Sequence, residues 1–181
     1  GTDSANWMEI WNNVFMQFER KDEKTLVPLP KQNVDTGMGL ERTNCILQGK
    51  TSVYLTEVFM PIIETIENLS NYKYGTDETK DRSVRIIADH TRSATFILGD
   101  QKGVAPSNIG AGYVLRRLIR RAVREGMKLG IDKDFLGDIA KTVVENFKNA
   151  YPELEQNRQK ILSELIKEEQ KFREALKNVE K

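Results

Sequence analysis

The chain has 181 residues, 39% of them hydrophobic and 30% charged, with a formal net charge of +1, which supplies an ordinary core for one domain or two small ones and excludes a disordered chain. Its longest apolar runs, such as VFMPII, fall far short of the roughly 18 residues of a membrane span, and GTDSANW at the N-terminus lacks the basic and apolar regions of a signal peptide. One cysteine, Cys45, and one histidine, His90, exclude an internal disulfide and give no metal-ligand cluster, so a cytosolic, metal-free protein is expected.

The first predicted element is WMEIWNNVFMQFE at 7–19. Asn12, Val14, Met16 and Phe18 alternate with Trp11, Asn13, Phe15 and Gln17, the pattern of a strand with both faces in use. RKDEKT is a polar connection. The two prolines of LVPLPKQNVDT suit an extended edge rather than a central strand, which puts a second strand at about 31–36 and a helix from about 39. LERTNCILQGK reads as a short helix stopped by Gly49, and Cys45 in it as a small core residue.

From there the chain is helical. Residues 56–69 carry apolar side chains at 58, 59, 62, 63 and 66, with a kink expected at Pro61. NYKYGTDETKDRS is a polar loop, and Ser83 is the expected cap of a helix through VRIIADHTRSATFIL, in which Asp89 and His90 read as buried polar residues joining helices. A glycine-rich loop over 99–112 precedes an arginine-rich helix at 112–129, followed by helices at about 133–150 and 153–180. In the last, Leu162, Leu165, Phe172, Leu176 and Val179 make a heptad-like stripe that Glu169 interrupts.

Two features carry chemistry. In NVDTGMGLER at 33–42, a strand end delivers Asp35, Gly37 and Gly39 to a helix start, with Arg42 one turn on. Such glycines let a ligand approach the backbone, and helix N-terminal amides favour phosphate, yet the same string also reads as a simple turn beside a solvated ion pair. In YVLRRLIRRAVREGMK at 113–128, Arg116, Arg117, Arg120, Arg121 and Arg124 fall within an arc of about 140°, opposite Leu115, Leu118, Ile119 and Ala122. That basic face suits RNA phosphates, or a solvated face whose arginines pair with neighbouring carboxylates.

GMGLER at 37–42 resembles motif 3 of the class II aminoacyl-tRNA synthetases. EIWNNVFMQF, PLPK, VDTGMGLER, RIIADHTRSATFIL and PSNIGAGYVLRRLIRRAVREG are similar, in that order, to the alanyl-tRNA synthetase family, over roughly residues 7–128. The resemblance implies that Asp35 binds the ammonium of alanine with Asn12, that Val14 walls the alanine pocket, and that Ile10, Trp11, Asn12, Gly37, Gly39 and Arg42 serve ATP. It implies that Asn108 reads the G·U wobble pair of the tRNA(Ala) acceptor stem, with Arg116, Arg117, Arg120, Arg121 and Arg124 as further tRNA contacts. Activation of alanine is an in-line displacement at the α-phosphorus, so no side chain is needed as nucleophile or base.

The expectation is thus a mainly α protein with a small antiparallel β element at its N-terminus, a helical bundle attached to the end of a class II catalytic sheet. Residues 1–50 would close the catalytic domain and 51–181 form the tRNA-recognition domain. By the same resemblance the chain is an internal part of the synthetase, inactive by itself, without motifs 1 and 2, with ATP and Mg²⁺ used by the parent and zinc confined to an editing domain further on. Two other readings are a non-catalytic RNA-binding helical module and a helical protein-interaction scaffold.

Overall fold

A computed structural model describes residues 7–179, except the side chain of Val179. The alternating segment forms β1 (Trp11–Arg20), antiparallel to β2 (Leu26–Met38). Between them Asp22 closes the turn by accepting from the backbone N–H of Lys24 and Thr25, each at 2.9 Å. The register runs from Trp11 opposite Met38 to Met16 opposite Asn33, then shifts, so that Phe18 faces Pro28. β2 is therefore twice the expected 31–36. Its prolines did not end it, because a two-stranded ribbon leaves one edge of each strand without a ladder to satisfy.

β2 runs through Gly39 into α1 (Leu40–Leu47), which ends before Gly49 at φ 62°, the stop expected of that glycine. Cys45 is buried, and its thiol donates to the Lys50 carbonyl at 3.2 Å. A short 3-10 turn at Val53–Leu55 completes the first of two compact units, which divide between Thr56 and Glu57.

The second unit is α-helical: α2 (Met60–Ser70), α3 (Glu78–Gly99), α4 (Gly110–Lys128), α5 (Leu136–Phe147), the short α6 (Pro152–Gln156) and α7 (Arg158–Val179). The apolar stripe of α2 is buried as its spacing demands, with Phe59, Ile62, Ile63 and Ile66 shielded from solvent. Pro61 makes no kink within the stripe. It occupies the first turn of α2, where a missing N–H costs nothing.

α3 begins two turns earlier than Ser83. Asp77 caps it, accepting from the Lys80 N–H at 2.9 Å, so the expected loop holds over 71–77 while its second half, 78–83, is the first turns of α3. Ser83 is buried inside α3 and donates to Glu125 of α4 at 2.8 Å. His90 Nδ1 meets Asp89 of its own helix at 3.0 Å, and Asp89 is half-exposed, so this pair does not join helices as expected.

The last predicted helix is broken at Asn157, whose side chain donates to the Gly99 carbonyl at 2.8 Å. In α7, Ile161 and Leu165 are fully buried, as is Glu169. The interruption at 169 is a cap in trans. Its carboxylate accepts from the N–H groups of Phe135 (3.2 Å) and Leu136 (2.9 Å) at the start of α5, which has no side-chain cap of its own. Arg173 neutralises it at 3.1 Å and donates to the carbonyls of Ile131, Asp132 and Lys133. Burial pushes the Glu169 carboxyl above its ordinary value despite these donors. Residue 180 of the expected helix and the Val179 side chain of the expected stripe lie outside the described residues. No helix among those residues is long and apolar enough to cross a membrane.

Candidate functional site

In the ribbon, Asn12 lies opposite Gly37 and Val14 opposite Asp35. Directly opposed residues of an antiparallel pair share a face, so Asn12, Val14 and Asp35 come together there, with no side chain across from Asn12. Asp35 Oδ1 accepts from the Thr36 N–H at 3.0 Å, which leaves acceptor capacity for an ammonium. Trp11 is on the other face, where its indole N–H donates to Thr36 Oγ1. The ribbon therefore does not bring Trp11 beside Asn12.

The glycines at the strand–helix joint are not demanded by the backbone. Gly39 sits at φ −75°, and Gly37 is not among the glycines with positive φ. A Cβ at Gly37 would meet nothing within 4 Å, and one at Gly39 only the Arg42 side chain at 3.5 Å. The space beside both glycines is open. Gly39 N–H closes the ribbon onto the Ile10 carbonyl at 2.9 Å, while Arg42 folds back to donate to the Glu9 carbonyl, also at 2.9 Å. No side chain caps α1, so its first amides keep their capacity for an anion.

In the helical unit, the loop before α4 turns on Gly110 at φ 55° and Gly112, where a Cβ would strike Ser107 and the Ala105 carbonyl. These glycines fold the loop back on the helix start and leave Asn108 exposed. Arg116 donates to Asn108 Oδ1. Because a guanidinium offers only donors, this bond fixes the amide with its oxygen toward Arg116 and its NH₂ free. The Arg116 and Arg117 guanidinium groups lie 5.6 and 5.7 Å from the centre of the Tyr113 ring. Ile109, Tyr113 and Val114, close to Asn108 in sequence, are exposed, a feature the sequence reading missed although three apolar side chains at a helix start signal it.

The five arginines are not equivalent. Arg120 is bonded to buried Glu168 at 2.7 Å and lies 5.2 Å from the Phe172 ring centre, which ties α4 to α7. This pairing is the arrangement that the alternative reading of the charged face described. Arg117, Arg121 and Arg124 line a groove of about 770 Å³ with Lys128 of α4 and with Lys80 and Arg82 of α3. Glu125 is the one carboxylate among the lining residues. Burial raises its pKa, but hydrogen bonds from Lys128 and Ser83 and the charges of Lys128 and Arg121 outweigh that and hold it below its ordinary value. The contribution of α3 to the groove was invisible in sequence, since Lys80 and Arg82 lie in the stretch read as a loop. Among the described residues, no group of three His, Cys, Asp or Glu side chains is placed to hold a metal ion.

The ribbon hands two glycines and an arginine to the start of α1, and a helical unit with an arginine-rich face on α4 follows it in the chain. The family model described as tRNA synthetases class II (A) matches residues 1–181, and the chain belongs to that family. Within it, the chain is 51% identical over 180 residues to the alanine–tRNA ligase of Treponema pallidum (strain Nichols), covering 99% of this chain and 30% of that protein. It is 56% identical over 163 residues to the alanine–tRNA ligase of Treponema denticola, covering 90% of this chain and 27% of that protein. With the alanine–tRNA ligase of Anaeromyxobacter sp. (strain Fw109-5) it shares 50% over 175 residues, 96% of this chain and 19% of that protein. The chain thus spans less than a third of the length of the relatives it matches.

Proposed function

We propose that the chain is the part of a cytoplasmic alanine–tRNA ligase that joins one wall of the ATP and alanine site to the recognition of the tRNA acceptor stem. The observation that carries this reading is the identity of about half of all residues, sustained across both units, to proteins named for that activity. The two units then correspond to the close of the catalytic domain, about residues 1–50, and the tRNA-recognition domain, about 51–181.

In the first unit, Asp35 pairs with the substrate ammonium, Asn12 hydrogen-bonds the amino acid, and Val14 limits the pocket to a methyl side chain. The space beside Gly37 and Gly39 admits the nucleotide, whose phosphates meet the amides of α1 and the Arg42 guanidinium, with Ile10 and Trp11 nearby. ATP, used with Mg²⁺, supplies the leaving group, while these residues align and neutralise the reactants. The exposed apolar faces of the ribbon fit strands that continue into a larger sheet, so the complete ligase is required for turnover.

In the second unit, Asn108 enters the shallow minor groove of the acceptor stem, where the guanine amino group of a G·U pair is accessible. With its oxygen partly engaged by Arg116, its NH₂ is a donor toward a base or ribose acceptor. The test is affinity for acceptor-stem duplexes with G·U or G·C at the wobble position. Wild type is expected to prefer G·U and Asn108→Ala to bind both alike; equal affinity in wild type would sink the assignment of Asn108.

A further inference from the structure

Residues from α3, α4 and α7 line the 770 Å³ groove, its cations come from α3 and α4, and its charge goes beyond what the arginine pattern of α4 announced. Among the described residues its one lining carboxylate, Glu125, is occupied by Ser83 and Lys128, and Arg120 is bonded to Glu168. Arg82, Arg117, Arg121 and Arg124 have no carboxylate within ion-pair distance among the described residues, and Lys80 has only the Tyr72 ring, 5.4 Å away. A solvated face on one helix needs no ligand. Cations that two packed helices turn toward one concavity repel each other across it, and α3 and α4, which pack on each other, have buried apolar side chains of their own in Val84, Ile87, Leu115 and Ile119.

We propose that this groove seats the sugar–phosphate backbone of an RNA strand, and that α3 contributes half of the seat through Lys80 and Arg82. The inference rests on the tRNA-ligase reading and adds to it a second helix and a defined track. Arg117 to Arg124 covers about 10 Å of helix axis, the axial span of about three successive phosphates on one strand. Guanidinium forks match phosphate oxygens in pairs, and the apolar floor of Ile86, Leu129 and Phe172 strengthens the field above it. The groove carries no sequence information of its own. It fixes the register at which Asn108 meets the stem.

The experiment is fluorescence anisotropy of a fluorescein-labelled acceptor-stem duplex with the full chain over a series of salt concentrations. Lys80→Gln/Arg82→Gln is expected to weaken binding on the order of tenfold at low salt and to flatten the slope of log affinity against log salt by about 1.4 to 1.8. The loss should be equal for G·U and G·C stems, because phosphates are the same in both. Both side chains are exposed, and an unchanged thermal melt checks that the fold is intact. Unchanged affinity and slope in this variant, with both reduced in Arg117→Gln/Arg124→Gln, would remove the groove while leaving the tRNA reading in place. Absence of stem binding by wild type would remove both. Inorganic pyrophosphate is expected to compete no better than chloride of equal ionic strength; displacement of RNA well below that level would give the groove to a small polyphosphate instead.

Discussion

In the ribbon, Trp11, Val14, Phe15 and Phe18 stand 47–73% exposed on both faces, whereas in the helical unit Ile62, Ile63, Ile66, Ile87 and Leu115 are entirely buried. Both segments are rich in large apolar residues, and the difference lies in geometry. A helix buries a stripe against its neighbours, and five or six helices close a core among themselves. A two-stranded ribbon has two faces and two open edges and can cover neither. The helical unit therefore closes its own core, while the ribbon holds a defined register with its large apolar side chains uncovered.

That contrast can be broken most directly at Glu169. Glu169→Ala removes the acceptor for two α5 amides and leaves Arg173 without its buried partner, for an expected loss of about 3–5 kcal/mol in urea unfolding. A loss below about 1 kcal/mol would mean that the helical unit does not depend on this buried cap. Ile87→Ala, at a fully buried position, should cost about 2–5 kcal/mol by the same measurement.

Ser83→Ala is expected to cost about 1–2 kcal/mol by leaving Glu125 with one fewer donor. It also sharpens the comparison of the two buried carboxylates. Glu125 is held below its ordinary value of 4.5, so its stabilisation is present above pH 4.5 and lost as pH falls through the folded value. Glu169 is raised above 4.5, so its contribution is full below pH 4.5 and lost as pH rises through its folded value. Carboxyl titrations followed by NMR should show these opposite displacements, and Ser83→Ala should move the Glu125 midpoint upward.

Arg120→Gln should lower stability with little effect on the salt slope of RNA binding, the reverse of Arg124→Gln, because only Arg120 is committed to Glu168 and Phe172. The smallest effect is expected in the ribbon, where Val14→Ala should change the unfolding free energy of the chain by no more than about 0.5 kcal/mol. If the alanine-pocket assignment is right, the same substitution in a complete ligase should change discrimination against larger amino acids by about 1–3 kcal/mol in kcat/KM.

Periodicity alone located the ribbon and nearly every helix, because alternation at two residues and stripes at 3.6 are imposed by local backbone geometry. The family was also readable, since NVDTGMGLER and PSNIGAGYVLRRLIRRAVREG are contiguous strings whose residue types and spacing survive without coordinates. What sequence left undecided were the partners of polar residues distant along the chain. Ser83 read as a cap and is a donor to Glu125; Glu169 read as a flaw in a stripe and caps α5; Arg120 read as an RNA contact and holds α7. The alternation had already put Trp11 and Asn12 on opposite faces, and the tertiary structure added that a side chain at Gly37 or Gly39 would meet no backbone and no packed neighbour beyond Arg42. It alone set Lys80 and Arg82 across from α4, because a groove is a relation between two helices and no single stretch of chain contains it.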